Sequence, residues 1–103
     1  MSDFGELRRQ LRIAYGRVLG RLREDRGWNM KQAASAVGLS MNTYRRTEMG
    51  EREVTAPELD IIAGVYGVET EVLASEARTM VADGEIPSQA ERAAESWRNF
   101  LGW

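Results

Sequence analysis

Eleven basic side chains stand between Arg8 and Arg52: Arg8, Arg9, Arg12, Arg17, Arg21, Arg23, Arg26, Lys31, Arg45, Arg46 and Arg52. Only four acids accompany them, Glu24, Asp25, Glu48 and Glu51, which leaves a local balance of +7. From Glu53 onward the sign reverses, with Arg78, Arg92 and Arg98 set against ten acids, and with Asp3 and Glu6 the whole chain carries −2. Guanidinium and ammonium groups at this density suit phosphate recognition, so the asymmetry implies a basic face that meets polyanion and an acidic part that turns elsewhere. The plainer alternative is a set of solvated helix faces that happen to be basic.

Other chemistry is restricted by composition. The chain holds no cysteine and no histidine, which removes disulfides, thiol nucleophiles, imidazole acid–base catalysis and the common Cys/His zinc sites. Carboxylates, Lys, Ser, Thr and Tyr remain, and no two of them stand at a spacing that suggests general acid–base work. The expectation is a binding protein without catalytic residues, metal or cofactor.

These side chains need a scaffold, and the sequence predicts an all-α one. The 103 residues, 43% hydrophobic and 29% charged, match one modest domain. Glycine and proline punctuate the chain at helical intervals, without sustained period-two alternation. Phe4, Leu7, Leu11, Tyr15, Val18 and Leu22 recur at spacings of three and four, giving a long first helix from about Asp3 to Arg26 that Gly27 stops. Asn29 caps a second helix over Met30 to Val37, Gly38 supplies the turn, and Ser40 caps a third helix that ends at Gly50. Thr55-Ala56-Pro57-Glu58 is a capping box that opens a fourth helix to Gly67, and Thr70 caps a fifth that closes at Asp83-Gly84. Gly84 to Pro87 reads as a linker. Ser88 to Glu91 is a second capping box, opening a terminal helix with Ala90, Ala93, Ala94, Trp97, Phe100 and Leu101 on one stripe.

The segment Met30 to Gly50 has small Ala33 and Ala34 where two helices can cross, Gly38 at the turn, and Val37, Leu39 and Tyr44 to fill the angle. It resembles the helix-turn-helix of the Cro/C1-type, or XRE, family of transcription regulators, and the resemblance extends over about Val18 to Leu73. It implies a compact five-helix, Cro/C1 repressor-like domain with an extended first helix and an additional C-terminal helix. In the family the third helix enters the major groove. The resemblance therefore makes Met41, Asn42 and Arg45 the base-contacting residues, through apolar contact with a thymine methyl, pairing with adenine and bidentate binding of guanine. By the same carry-over Lys31, Gln32, Ser40, Thr43, Arg46 and Arg52 contact phosphate, and Arg23 with Glu48 forms a structural ion pair. Four positions depart from the family pattern. Met30 stands where a glutamine is common, Ala33 replaces leucine, Thr47 a large apolar residue and Tyr44 an aliphatic one, and Trp28 with two tyrosines is expected to refill the volume.

The resemblance implies double-stranded DNA as partner and a homodimer on a pseudo-palindromic operator, in the manner of a phage-type repressor. The competing readings are an antitoxin-type autorepressor and a protein-binding antiactivator, with the acidic C-terminal half engaging a toxin, an antirepressor or RNA polymerase. Phe4, Leu7, Leu11, Trp97, Phe100, Leu101 and Trp103 are the candidate dimer or partner contacts, although the terminal stripe could equally fold back on its own core. The expected division is a DNA-binding unit over 1–84 and a C-terminal amphipathic helix over 85–103. No apolar run approaches the ~20 residues that span a bilayer, so a cytoplasmic, nucleoid-associated protein is expected.

Overall fold

The computed structural model describes residues 3–102, and Trp103 lies outside them. These residues form six helices and no strand: α1 (Phe4–Asp25), α2 (Met30–Val37), α3 (Met41–Glu48), α4 (Ala56–Val65), α5 (Thr70–Ala82) and α6 (Gln89–Leu101). Among them, no helix is long and apolar enough to cross a membrane.

Local chemistry sets most boundaries. Asp3 accepts the Glu6 N–H at the start of α1, satisfying one of the donors that every helix start leaves free. Asn29 and Gln32 form a reciprocal capping box on α2, and Thr55 and Glu58 do the same on α4 behind Pro57. Gly38 takes φ +76, a left-handed conformation that glycine reaches without strain and that turns the chain sharply from α2 into α3.

Two caps differ from the sequence expectation. Thr70 does not cap α5: Glu69 holds that position without a side-chain bond, and the Thr70 hydroxyl instead donates to Asp60 Oδ1 at 2.8 Å, tying α5 to α4. Ser88 accepts the Glu91 N–H at the start of α6, but only this half of the expected box forms among the described residues. The Glu6 carboxylate, from α1, takes the Gln89 N–H at 3.0 Å.

Packing joins α1 to α5 and α3, and α2 to α3 and α4. Tyr44, Leu19, Ile62, Leu73 and Val18 are the largest fully buried apolar side chains. Aromatic side chains meet in this core. The hydroxyls of Tyr44 and Tyr66 hydrogen-bond at 2.5 Å, and the Trp28 ring lies 5.7 Å from that of Tyr66. Burial pushes both phenols above their ordinary range, since a phenolate would be poorly solvated there.

The stretch from Gly84 to Pro87, read above as a linker, is packed. Ile86 is 3% exposed and belongs to the core. The carbonyls of Glu85, Ile86 and Pro87 accept hydrogen bonds from Arg17, Gln10 and Arg9 of α1, at 3.3, 3.4 and 3.1 Å. This segment is a packed strap, and the folded unit continues through it. Beyond the strap, α6 has no buried residue, and Trp97, Phe100 and Leu101 stay 63%, 81% and 49% exposed. The stripe does not fold back on its own core, which sets aside that alternative. On α1, Phe4 and Leu7 are likewise exposed, whereas Leu11 is half-buried.

Candidate nucleic-acid interface

The third helix has two faces. Tyr44 and Thr47 point into the core, while Met41, Asn42, Arg45 and Arg46 are exposed. Its N-terminus is organised by Ser40, whose Oγ accepts the Thr43 N–H at 3.1 Å and donates to Thr43 Oγ1 at 2.8 Å. Both hydroxyls thus lie together at the rim of the exposed face. Asn42 Oδ1 accepts from Arg45 Nη2 at 3.0 Å, and Met49 Sδ accepts from Arg45 Nη1 at 3.2 Å. The guanidinium is held along the helix with its fork only partly used.

Contacts with α1 fix this helix and the turn after it in place. Arg23 of α1 binds Glu48 bidentately, Nε to Oε2 at 2.7 Å and Nη2 to Oε1 at 3.2 Å, and also donates to the Trp28 carbonyl at 3.0 Å. With side chains 17% and 8% exposed, the pair is shielded enough for its geometry to matter. The Glu48 hydrogen bond holds the Arg23 guanidinium above its ordinary range. Gly16 permits the close crossing of α1 and α3, because a Cβ there would lie 2.2 Å from the Glu48 carbonyl oxygen. Gly50, at φ +71, approaches Ile13 in the same way. Neither close approach was read from the sequence, although two glycines four apart in a 22-residue helix, Gly16 and Gly20, each cost ~1 kcal/mol against alanine and signalled it.

Arg52, assigned above to phosphate, is placed differently. Its Nη1 donates to the buried Thr47 hydroxyl at 3.0 Å and its Nη2 to both Glu58 oxygens at 3.0 and 3.1 Å. That guanidinium holds the Glu58 carboxyl below its ordinary range. Thr47 in turn donates to the Thr43 carbonyl at 2.8 Å, so its hydroxyl is satisfied where the family pattern has an apolar side chain. Arg52 is a brace beneath α3.

Several basic residues of α1 have acidic partners within the chain. Arg8 and Arg12 flank Glu53 at 2.8 and 3.8 Å, Arg9 pairs with Glu6 at 3.0 Å, and Arg21 pairs with Glu76. Part of the basic charge of α1 is therefore met within the chain, by Glu6 of α1 itself, Glu53 of the α3–α4 connection and Glu76 of α5. On the helix-turn-helix face, Lys31 has no ion-pair partner among the described residues, and Arg46 lies 3.7 Å from Glu51 at the surface. Gln32 commits its amide oxygen to the Asn29 N–H at 2.8 Å, which leaves its NH2 outward as a donor. Met30 is packed against the core rather than presented.

Comparison with known proteins agrees with this geometry. Residues 14–77 match the family model described as a helix-turn-helix domain. Two crystal structures of the clp gene regulator ClgR from Corynebacterium glutamicum are similar. One is 28% identical with a TM-score of 0.62, covering 67% of this chain and 90% of that one; the other is 26% identical at 0.65, covering 90% and 92%. No curated protein matches. With its matched region spanning α1 through α5, the chain belongs to the helix-turn-helix domain family.

Proposed function

We propose that this protein is a sequence-specific transcription regulator that places α3 in the major groove of operator DNA. Membership of the helix-turn-helix family and likeness to the regulator ClgR support a DNA-binding transcriptional regulator. One observation carries the finer reading: α3 is locked on its inner face by Tyr44, Thr47 and the Arg23–Glu48 pair, while Met41, Asn42 and Arg45 project together from its outer face. Met41 meets a thymine methyl, and the Asn42–Arg45 pair reads purine edges, with guanine as the match for the Arg45 fork. Lys31, the Gln32 amide, Ser40, Thr43 and Arg46 hold the flanking phosphates. Arg52 acts through α3 rather than on DNA. The regulator acts as a homodimer on a pseudo-palindrome and represses by occluding the promoter, in the manner of a phage repressor.

The test is selection of genomic fragments, then fluorescence anisotropy over a salt series for wild type and Arg45→Ala. The expected result is one palindromic site bound at ~10 nM with a steep salt slope, and relaxed base preference at one position per half-site in the variant. Equal binding of all fragments by both proteins would overturn sequence-specific recognition.

A further inference from the structure

The terminal helix presents an apolar face without an intramolecular partner, and its residue order indicates the occupant. Along the stripe, small residues come first, Ala90, Ala93 and Ala94, and bulky ones last, Trp97, Phe100 and Leu101. Ala93, Ser96, Trp97 and Phe100 line a shallow open groove, with Trp97 and Phe100 edge to face at 5.9 Å. A second copy laid antiparallel sets each bulky end on the small end of its partner. A parallel copy would crowd Trp97 against Trp97 and leave the alanines facing a gap.

Charge repeats the pattern independently. Glu91 and Arg98 lie seven residues apart, on the same flank of the stripe, beside Glu95 in a second surface groove. In an antiparallel pair related by a twofold axis, the same flanks meet in reversed order, so Glu91 faces Arg98 of the partner subunit twice over. A parallel pair would set that flank against the opposite one, which offers Gln89 and Ser96. Neither Glu91 nor Arg98 has an ion-pair partner among the described residues, so both charges are available.

We infer that α6 pairs antiparallel with α6 of a second copy, centred near Ala94, and that this is the contact joining the two DNA-reading units. The inference rests on the homodimer of the preceding reading and supplies its interface. A helix of 13 residues is ~20 Å long and covers less than the ~800 Å² per partner of a standard interface, so the dimer is concentration-dependent.

Sedimentation equilibrium of the full chain tests it. Wild type should dimerise, and Trp97→Ala with Phe100→Ala should weaken dimerisation by at least ~30-fold, with far-ultraviolet spectrum and melting temperature unchanged at dilutions where wild type is itself monomeric, because these side chains touch nothing in their own subunit's core. Glu91→Arg and Arg98→Glu should each weaken the dimer, and the double reversal should restore it. A monomer at all concentrations, a dimer indifferent to these variants, or failure of the double reversal to rescue would each overturn the antiparallel pairing. Binding to a single half-site separates the two readings: α6 variants should retain it where Arg45→Ala loses its base preference.

Discussion

Gly16 of α1 and the main chain of Glu48 in α3 stand so close that a Cβ on residue 16 would lie 2.2 Å from the Glu48 carbonyl oxygen. Helix propensity favours alanine over glycine in a helix interior by ~1 kcal/mol, yet here the contact is backbone and cannot yield. Gly16→Ala is predicted to destabilise by about 3 kcal/mol, whereas Gly64→Ala, on α4 with nothing within 4 Å, is predicted to stabilise by about 0.5–1 kcal/mol. Urea denaturation of the two variants checks the pair, and a neutral Gly16→Ala would show that the crossing is loose.

The Arg23–Glu48 pair joins the same two helices through side chains. Glu48→Ala leaves a shielded guanidinium without its carboxylate and is predicted to cost about 2–3 kcal/mol. Arg23→Lys is not expected to preserve stability, because an ammonium cannot supply both the bidentate bond and the donor to Trp28. Thermal melting of both variants is the measurement; a melting temperature at the wild-type value for Arg23→Lys would refute the bidentate requirement.

Acid should weaken the fold through Glu58. Its folded-state carboxyl titrates below its ordinary value because Arg52 favours the charged form, so the contribution is present above pH ~4.5 and is lost as pH falls through the folded value. Unfolding free energy measured from pH 6 to pH 3 should drop more steeply in wild type than in Glu58→Gln. Parallel curves would remove Glu58 from the acid response.

At the alkaline end the tyrosine pair has the opposite sign. Tyr44 and Tyr66 are raised by burial, so their contribution is complete below pH ~10, the unfolded value, and fades as pH rises beyond it. Tyr44→Phe alone leaves the buried Tyr66 hydroxyl without its partner, at a cost of about 1–3 kcal/mol, and the double Phe variant should recover part of that loss. A double-mutant cycle at pH 7, followed by alkaline titration monitored at the phenolate band, reads both effects; additive single-variant losses would mean that the hydroxyls do not interact.

How far the sequence could be read follows from the kind of interaction involved. Caps and turns are local, so Asn29, Gly38, Ser40 and Thr55 placed α2, α3 and α4 within a residue or two. An arginine's partner is not local. A guanidinium fork fits carboxylate and phosphate equally well, and for Arg8, Arg21 and Arg52 the choice depended on acids 45, 55 and 6 residues away. Thr70 illustrates a further limit, because the right residue type at the right place found a stronger partner in Asp60. Gly84 to Pro87 carried linker composition, and only the fold showed that Ile86 had a hole to fill.

Ile86 also sets where the molecule can be cut. A chain ending just after Pro87 should keep its plug and the three carbonyl acceptors for α1, whereas one ending at Gly84 would leave an open hollow and lose all three acceptors. The peptide bond between Pro87 and Ser88 is therefore the natural splice site: a reading head could be excised there and fused to a foreign dimeriser, changing half-site spacing without altering base preference.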